Sequence, residues 1–241
     1  MGEKTINILN LWTNIFIALY FVILTAERIQ SLVRAGSNKA LLTDGLHNYM
    51  AGLCILSFVG TIAILIARAA SSNSHVQLIL LSAAVGCILL SGMVHTEYTI
   101  PGIQFGAYGV LIVAMLLKVI TQQDVLTTGR RVFILLYIVA FSMAIPVVYA
   151  SEIKNKLAFH ITESVVSFAL VILFAVMFYA LFAGQYSVIT HPAFIVFALI
   201  GDAMVLALRW SEKINWFVLV ALAAAVVLWI VGIIINKPLL K

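Results

Sequence analysis

The sequence predicts an all-α, polytopic integral membrane bundle of about eight transmembrane helices. Three observations carry that prediction. The chain has 241 residues, of which 64% are hydrophobic and only 10% charged, with a mean hydropathy of +1.16. A soluble domain carries about 25% charged residues and roughly half apolar ones, so lipid must be the solvent for most of this surface. The apolar residues fall in runs near the roughly 20 residues that cross a bilayer as a helix. The runs are continuous rather than alternating, which argues against a strand barrel.

Eight spans follow in order: 6–26, 46–67, 75–94, 102–120, 132–150, 158–182, 192–208 and 216–235. Glu27 and Arg28 follow the first run directly, where a leader cleavage site would need small residues, so the first span is expected to remain in the protein. The first connection, 27–45, is the longest. Within it Ile29, Leu32 and Val33 share one helical face between Arg28, Gln30 and Arg34. This segment either prolongs the first span or lies along the membrane surface. Links 71–74, 95–101 and 211–215 are short, and the polar link 121–131 is the natural midpoint.

That midpoint makes room for a repeat of halves 1–121 and 131–241 within a single transmembrane domain. His47 opens the second span and His160 the sixth. His75 and His191 stand near the starts of the third and seventh, and Glu27 and Glu152 follow the first and fifth. With an even number of spans in each half, the repeat would be parallel.

Charge does not orient the bundle. Seven basic residues fall on each face of the threading: Lys4, Arg68, Lys118, Arg130, Arg131, Lys237 and Lys241 against Arg28, Arg34, Lys39, Lys154, Lys156, Arg209 and Lys213. The positive-inside rule therefore makes no choice. The net charge of +5 has no cluster able to track a phosphate backbone, which argues against nucleic acid as a partner. The expected partners are the lipid bilayer and other membrane subunits. Cys54 and Cys87 sit inside spans and read as small hydrophobes.

The acids are asymmetric. Glu27, Asp44, Glu97, Glu152, Glu163 and Glu212 lie at or near the second face, with Glu3 and Asp124 on the first. His47, His95 and His160 fall at helix ends on that same second face. Ionisable groups at shared depth in a membrane protein mark a functional site by default. Asp44 lies three residues before His47, on the same helical face, where a carboxylate can orient an imidazole. His95 and Glu97 cap the third span, and His160 and Glu163 form His-x-x-Glu. Three imidazoles with carboxylates suit zinc, iron or copper, and bundles build such sites from facing helices. The sequence therefore points to a metal site on His47, His95 and His160 with Asp44, and to Glu97 or Glu163 as general base. The expected activity is a metal-dependent membrane enzyme acting on a lipid or other apolar substrate. The His-Glu-x-x-His and His-x-x-x-His signatures are absent.

Other readings stay open. Asp202 sits inside the seventh span, where a carboxylate costs roughly 2.5–3.5 kcal/mol on insertion scales. With the Pro146 kink and the repeat, it suits a proton-coupled transporter or channel. Haem on the same histidines, or a non-catalytic subunit of a membrane complex, also fits the residues. Asn7, Asn10, Thr13 and Asn14 form a polar stripe that should point inward and hydrogen-bond between helices. Gly102, Gly106 and Gly109 should form a close-packing face. Trp12, Trp210 and Trp216 read as interfacial anchors.

Overall fold

The computed structural model describes residues 2–36, 45–70, 75–92, 100–122, 125–142 and 157–197, with residues 200 and 227 besides. Those residues are helical throughout apart from turns, with no strand among them. The elements are α1 (Glu3–Gly36), α2 (Gly45–Ala70), α3 (His75–Gly92), α4 (Pro101–Thr121), α5 (Thr128–Ser142), α6 (Leu157–Phe182) and the short α7 (Tyr186–Ile189). A further helical segment covers 192–197.

Among the described residues three helices are long and apolar enough to cross a membrane, over Glu3–Arg34, Ala51–Arg68 and Gly102–Thr121. His75–Ser91 and Phe168–Phe182 are shorter apolar helices. The first six expected spans each coincide with a helix over the described residues. The remainder of the fifth and seventh spans, with Pro146 and Asp202, lies outside the described residues, and so do Trp210, Trp216 and all of the eighth span except Val227.

Local chemistry explains the ends that matter for topology. Pro101 opens α4 behind an extended Ile100, where its missing N–H costs nothing because the first turn has no partner for it. α6 stops at Gly184, whose φ is +73°. There the Gln185 N–H donates to the Ala180 carbonyl at 2.8 Å and the Gly184 N–H to Leu181 at 3.4 Å. This paired closure needs a left-handed residue, which glycine adopts without strain.

α1 to α4 alternate in direction, and α6 runs opposite to α3. α4 packs along α1, α2 lies against α1 and α3, and α6 lies against α3. The C-terminal part of α1 meets the N-terminal half of α2, where Thr25 and Cys54 touch. The same part of α1 meets the end of α3 at Ser91 and the start of α4 at Ile100. At the other end, Tyr179 of α6 approaches His75 of α3 at 3.5 Å, and Lys118 of α4 lies over the Phe182 ring. One end of the bundle thus gathers the end of α1, the start of α2, the end of α3 and the starts of α4 and α6. We call it the acidic end, and the other the cationic end.

Apolar residues fill the interior and also cover much of the outside. Ile8, Leu11, Ile15, Leu19, Val22, Ile29 and Val33 of α1 face outward, while Thr13, Thr25, Glu27, Arg28 and Ser31 are buried. α1 runs unbroken through Glu27–Gly36, so this part of the first connection prolongs the span. In that stretch Ile29 and Val33 point out, while Glu27, Arg28 and Ser31 point into the bundle.

Two packing expectations change. Gly102, Gly106 and Gly109 are exposed, and a Cβ on any of them would meet nothing within 4 Å. α4 instead buries Gln104, Ala107, Tyr108, Leu111, Ala114, Met115 and Val119. The close approach is at Gly86 of α3, where a Cβ would lie 3.6 Å from that of Ala175 on α6. The asparagine stripe also fails as interhelical glue. Asn7 and Asn14 are exposed and Asn10 is half-buried.

Candidate functional site

The acidic end holds the most polar buried group among the described residues. Glu27 and Arg28 are adjacent on α1, and both are almost completely buried. A lone charge taken out of water costs several kcal/mol, so such groups persist only when paired and hydrogen-bonded. Here each has several partners. The Ile100 N–H donates to Glu27 Oε1 at 3.0 Å, and the Gln104 amide approaches Glu27 Oε2 at 3.5 Å. Arg28 Nε lies 3.7 Å from Glu27 Oε2. Arg28 Nη2 donates to the Ser91 carbonyl near the end of α3, and the Ser91 hydroxyl turns back onto the Ile88 carbonyl at 2.8 Å. Thr25 Oγ1 and Cys54 Sγ, 3.6 Å apart, join α1 to α2 beside this group.

Glu27 and Arg28 therefore tie three helices, α1, α3 and α4, together at one depth, and Thr25 joins α2 to them. They also fix both flanks of the connection that carries His95 and Glu97, through Ser91 before it and Ile100 after it. The sequence placed Glu27 and Arg28 among connection charges. The signal that could have found them was continuity: Thr25, Arg28 and Ser31 recur every third residue, a polar face opposite the Ile29–Val33 face.

The sequence-predicted site residues fall as follows. His47 lies in the first turn of α2, and His160 and Glu163 in the first two turns of α6. Both helices start at the acidic end. The side chains of these three residues lie outside what is described, as do Asp44, His95, Glu97 and Asp202 altogether. Among the described residues no group of three or more His, Cys, Asp or Glu side chains could hold a metal ion.

The cationic end has a different polar feature. A cavity of about 250 Å³ opens there, lined by Asn10, Thr13 and Asn14 of α1, Leu65 and Arg68 of α2, Lys118 of α4 and Phe182 of α6. The Lys118 ammonium stands 5.8 Å from the Phe182 ring centroid, within cation–π range. From Asn14 to Glu27 is about 20 Å along α1 at 1.5 Å per residue. Ile17, Tyr20, Phe21 and Leu24 fill that stretch in one apolar cluster with Leu111, Ala114 and Met115 of α4. A cavity open at one end, an apolar barrier and a buried ion pair at the other end thus lie in series along α1.

The chain matches no known family model, and a comparison with curated proteins and with solved structures likewise finds no match.

Proposed function

We propose that this chain is an integral membrane protein of about eight spans that moves a small solute across the bilayer. Support for the membrane comes from the three span-length apolar helices among the described residues and from the many large apolar residues that face outward while Glu27 and Arg28 are buried. In lipid, buried polar groups mark solute and proton paths by default. The observation that carries the transport reading is the series along α1: open cavity, apolar barrier, buried Glu27–Arg28 pair. In alternating access one end is open while the other is held shut. The contacts of Glu27 and Arg28 to α3 and α4 are the closure in this state. Parting them would open the acidic end, with Asp202 as a further ionisable group for coupling.

The test is uptake by proteoliposomes of radiolabelled anions, cations and neutral solutes. One class should accumulate, and Glu27→Gln should slow it while the protein stays monodisperse. Uptake no faster than in protein-free vesicles for every class would refute transport.

A second reading is favoured by one observation: α2 and α6 start, α3 ends and α4 starts at the same end of the bundle. That is the convergence a metal-dependent membrane enzyme would need, with His47, His95, His160 and Asp44 as ligands and Glu97 or Glu163 as base. Elemental analysis of protein purified without chelator or nickel decides it. Near one zinc, iron or copper per chain, lost in His95→Ala, supports this reading, and iron would direct attention to haem. Metal-free protein would remove it.

A further inference from the structure

We infer that the cavity at the cationic end binds a phosphate-class oxyanion. Among the described residues its lining contains two cations, Arg68 and Lys118, and no carboxylate. Like charges sharing a partly desolvated space repel, and a bound anion turns that repulsion into attraction on both sides. The neutral groups suit the same ligand. Asn10 and Asn14 stand one turn apart on α1, and among the described residues neither amide has a hydrogen-bond partner. Each can direct an N–H into the cavity. Thr13 has already committed its proton to the Leu9 carbonyl at 2.8 Å, so the asparagines are the neutral side-chain donors. Leu65 and Phe182 form an apolar wall that raises the strength of charged contacts beside it. The space far exceeds the roughly 30 Å³ that one water takes in the liquid.

A tetrahedral oxyanion satisfies this set better than chloride or a carboxylate. It has enough oxygens to meet a guanidinium, an ammonium and two amides together. The phosphate could come from a lipid headgroup or from a free phosphate or phosphomonoester. The site requires the membrane setting proposed above, but not transport, and it is read by binding alone.

The test uses the full chain in nanodiscs of phosphatidylcholine, with or without phosphatidic acid, at low ionic strength. Equilibrium dialysis with radiolabelled inorganic phosphate reports the free anion, and mass spectrometry of the disc lipids held by the protein reports the headgroup. Asn14→Asp is the informative variant. Asn14 is exposed, so folding is undisturbed, while a carboxylate is placed in the cavity. It should weaken binding about tenfold or more, as should Lys118→Met, while Lys118→Arg should retain it. Saturable phosphate binding with this pattern assigns the site to a free oxyanion. Selective retention of phosphatidic acid with the same pattern assigns it to a headgroup. Binding of neither, or binding indifferent to both Asn14→Asp and Lys118→Met, would overturn the inference. A protein that binds phosphate but moves no solute would sink the carrier reading and leave this site standing.

Discussion

The Glu27 carboxylate accepts a hydrogen bond from the Ile100 backbone N–H, 3.0 Å away and 73 positions later in the chain. That contact joins the end of one apolar helix to the start of another. It also meets a donor that α4 cannot satisfy internally, because the first N–H groups of a helix have no intrahelical acceptor. Its neighbour Arg28 does the complementary task at the end of α3, donating to the Ser91 carbonyl.

Breaking this pair from one side should be costlier than removing it. Arg28→Met leaves Glu27 buried without its cation and should destabilise the protein by about 3–5 kcal/mol. Glu27→Gln keeps an oxygen for the Ile100 N–H and should cost less. The double variant Glu27→Gln/Arg28→Met should recover part of the Arg28→Met loss, since the two effects are coupled. Unfolding in mixed micelles, followed by tryptophan fluorescence, measures all three, and strict additivity would contradict the pairing.

Glycine substitutions separate packed from outward faces. Gly86→Leu must force α3 from α6 at Ala175 and Val171, at about 1–3 kcal/mol. Gly106→Leu meets open space and should stay within about 0.5 kcal/mol of the parent. The same unfolding measurement checks both, and the reverse order would place the small-residue face of α4 in a packed interface.

Tyr186 lies on α7 beyond the end of α6, and burial pushes its phenol up to about 12 from the usual value near 10. The fold favours the protonated form. Stability owed to this group is therefore fully present below about pH 10 and is lost as pH rises toward 12. The hydroxyl is buried without a hydrogen-bond partner among the described residues. Tyr186→Phe should be neutral or stabilising by about 1 kcal/mol and should flatten the alkaline limb of a stability–pH profile. An unchanged limb would assign the alkaline loss to another group.

The outward apolar face gives a direct test of its solvent. Leu56 and Val59 of α2 are among the most exposed large hydrophobes. In lipid, Leu56→Lys should cost roughly 2.5–3.5 kcal/mol at mid-span and reduce the fraction that resists alkaline extraction from membranes. In water the same change would be close to neutral. Full retention of Leu56→Lys in the extracted membrane would mean that this face does not meet hydrocarbon.

The sequence by itself determined the helical class, the positions of the first six helices and the gathering of helix ends that carry His47, His160 and Glu163. Hydropathy and the length needed to cross a bilayer are local properties, and a short link forces the next helix to run back. Tertiary structure decided what the polar residues do. Glu27 and Arg28 look like loop charges until α1 is seen to continue past them, and only contact with Ile100, Gln104 and Ser91 makes their burial tolerable. Gly102, Gly106 and Gly109 look like a packing face, yet α4 turns its Gln104–Ala107–Leu111 side to α1 because that side meets Glu27. The stripe of Asn10 and Asn14 looks like glue, yet Arg68 and Lys118, brought beside it from two other helices, make it the wall of a cavity. Which face of an apolar helix turns inward depends on partners far away in sequence. Periodicity cannot report that choice when every face is apolar enough for lipid.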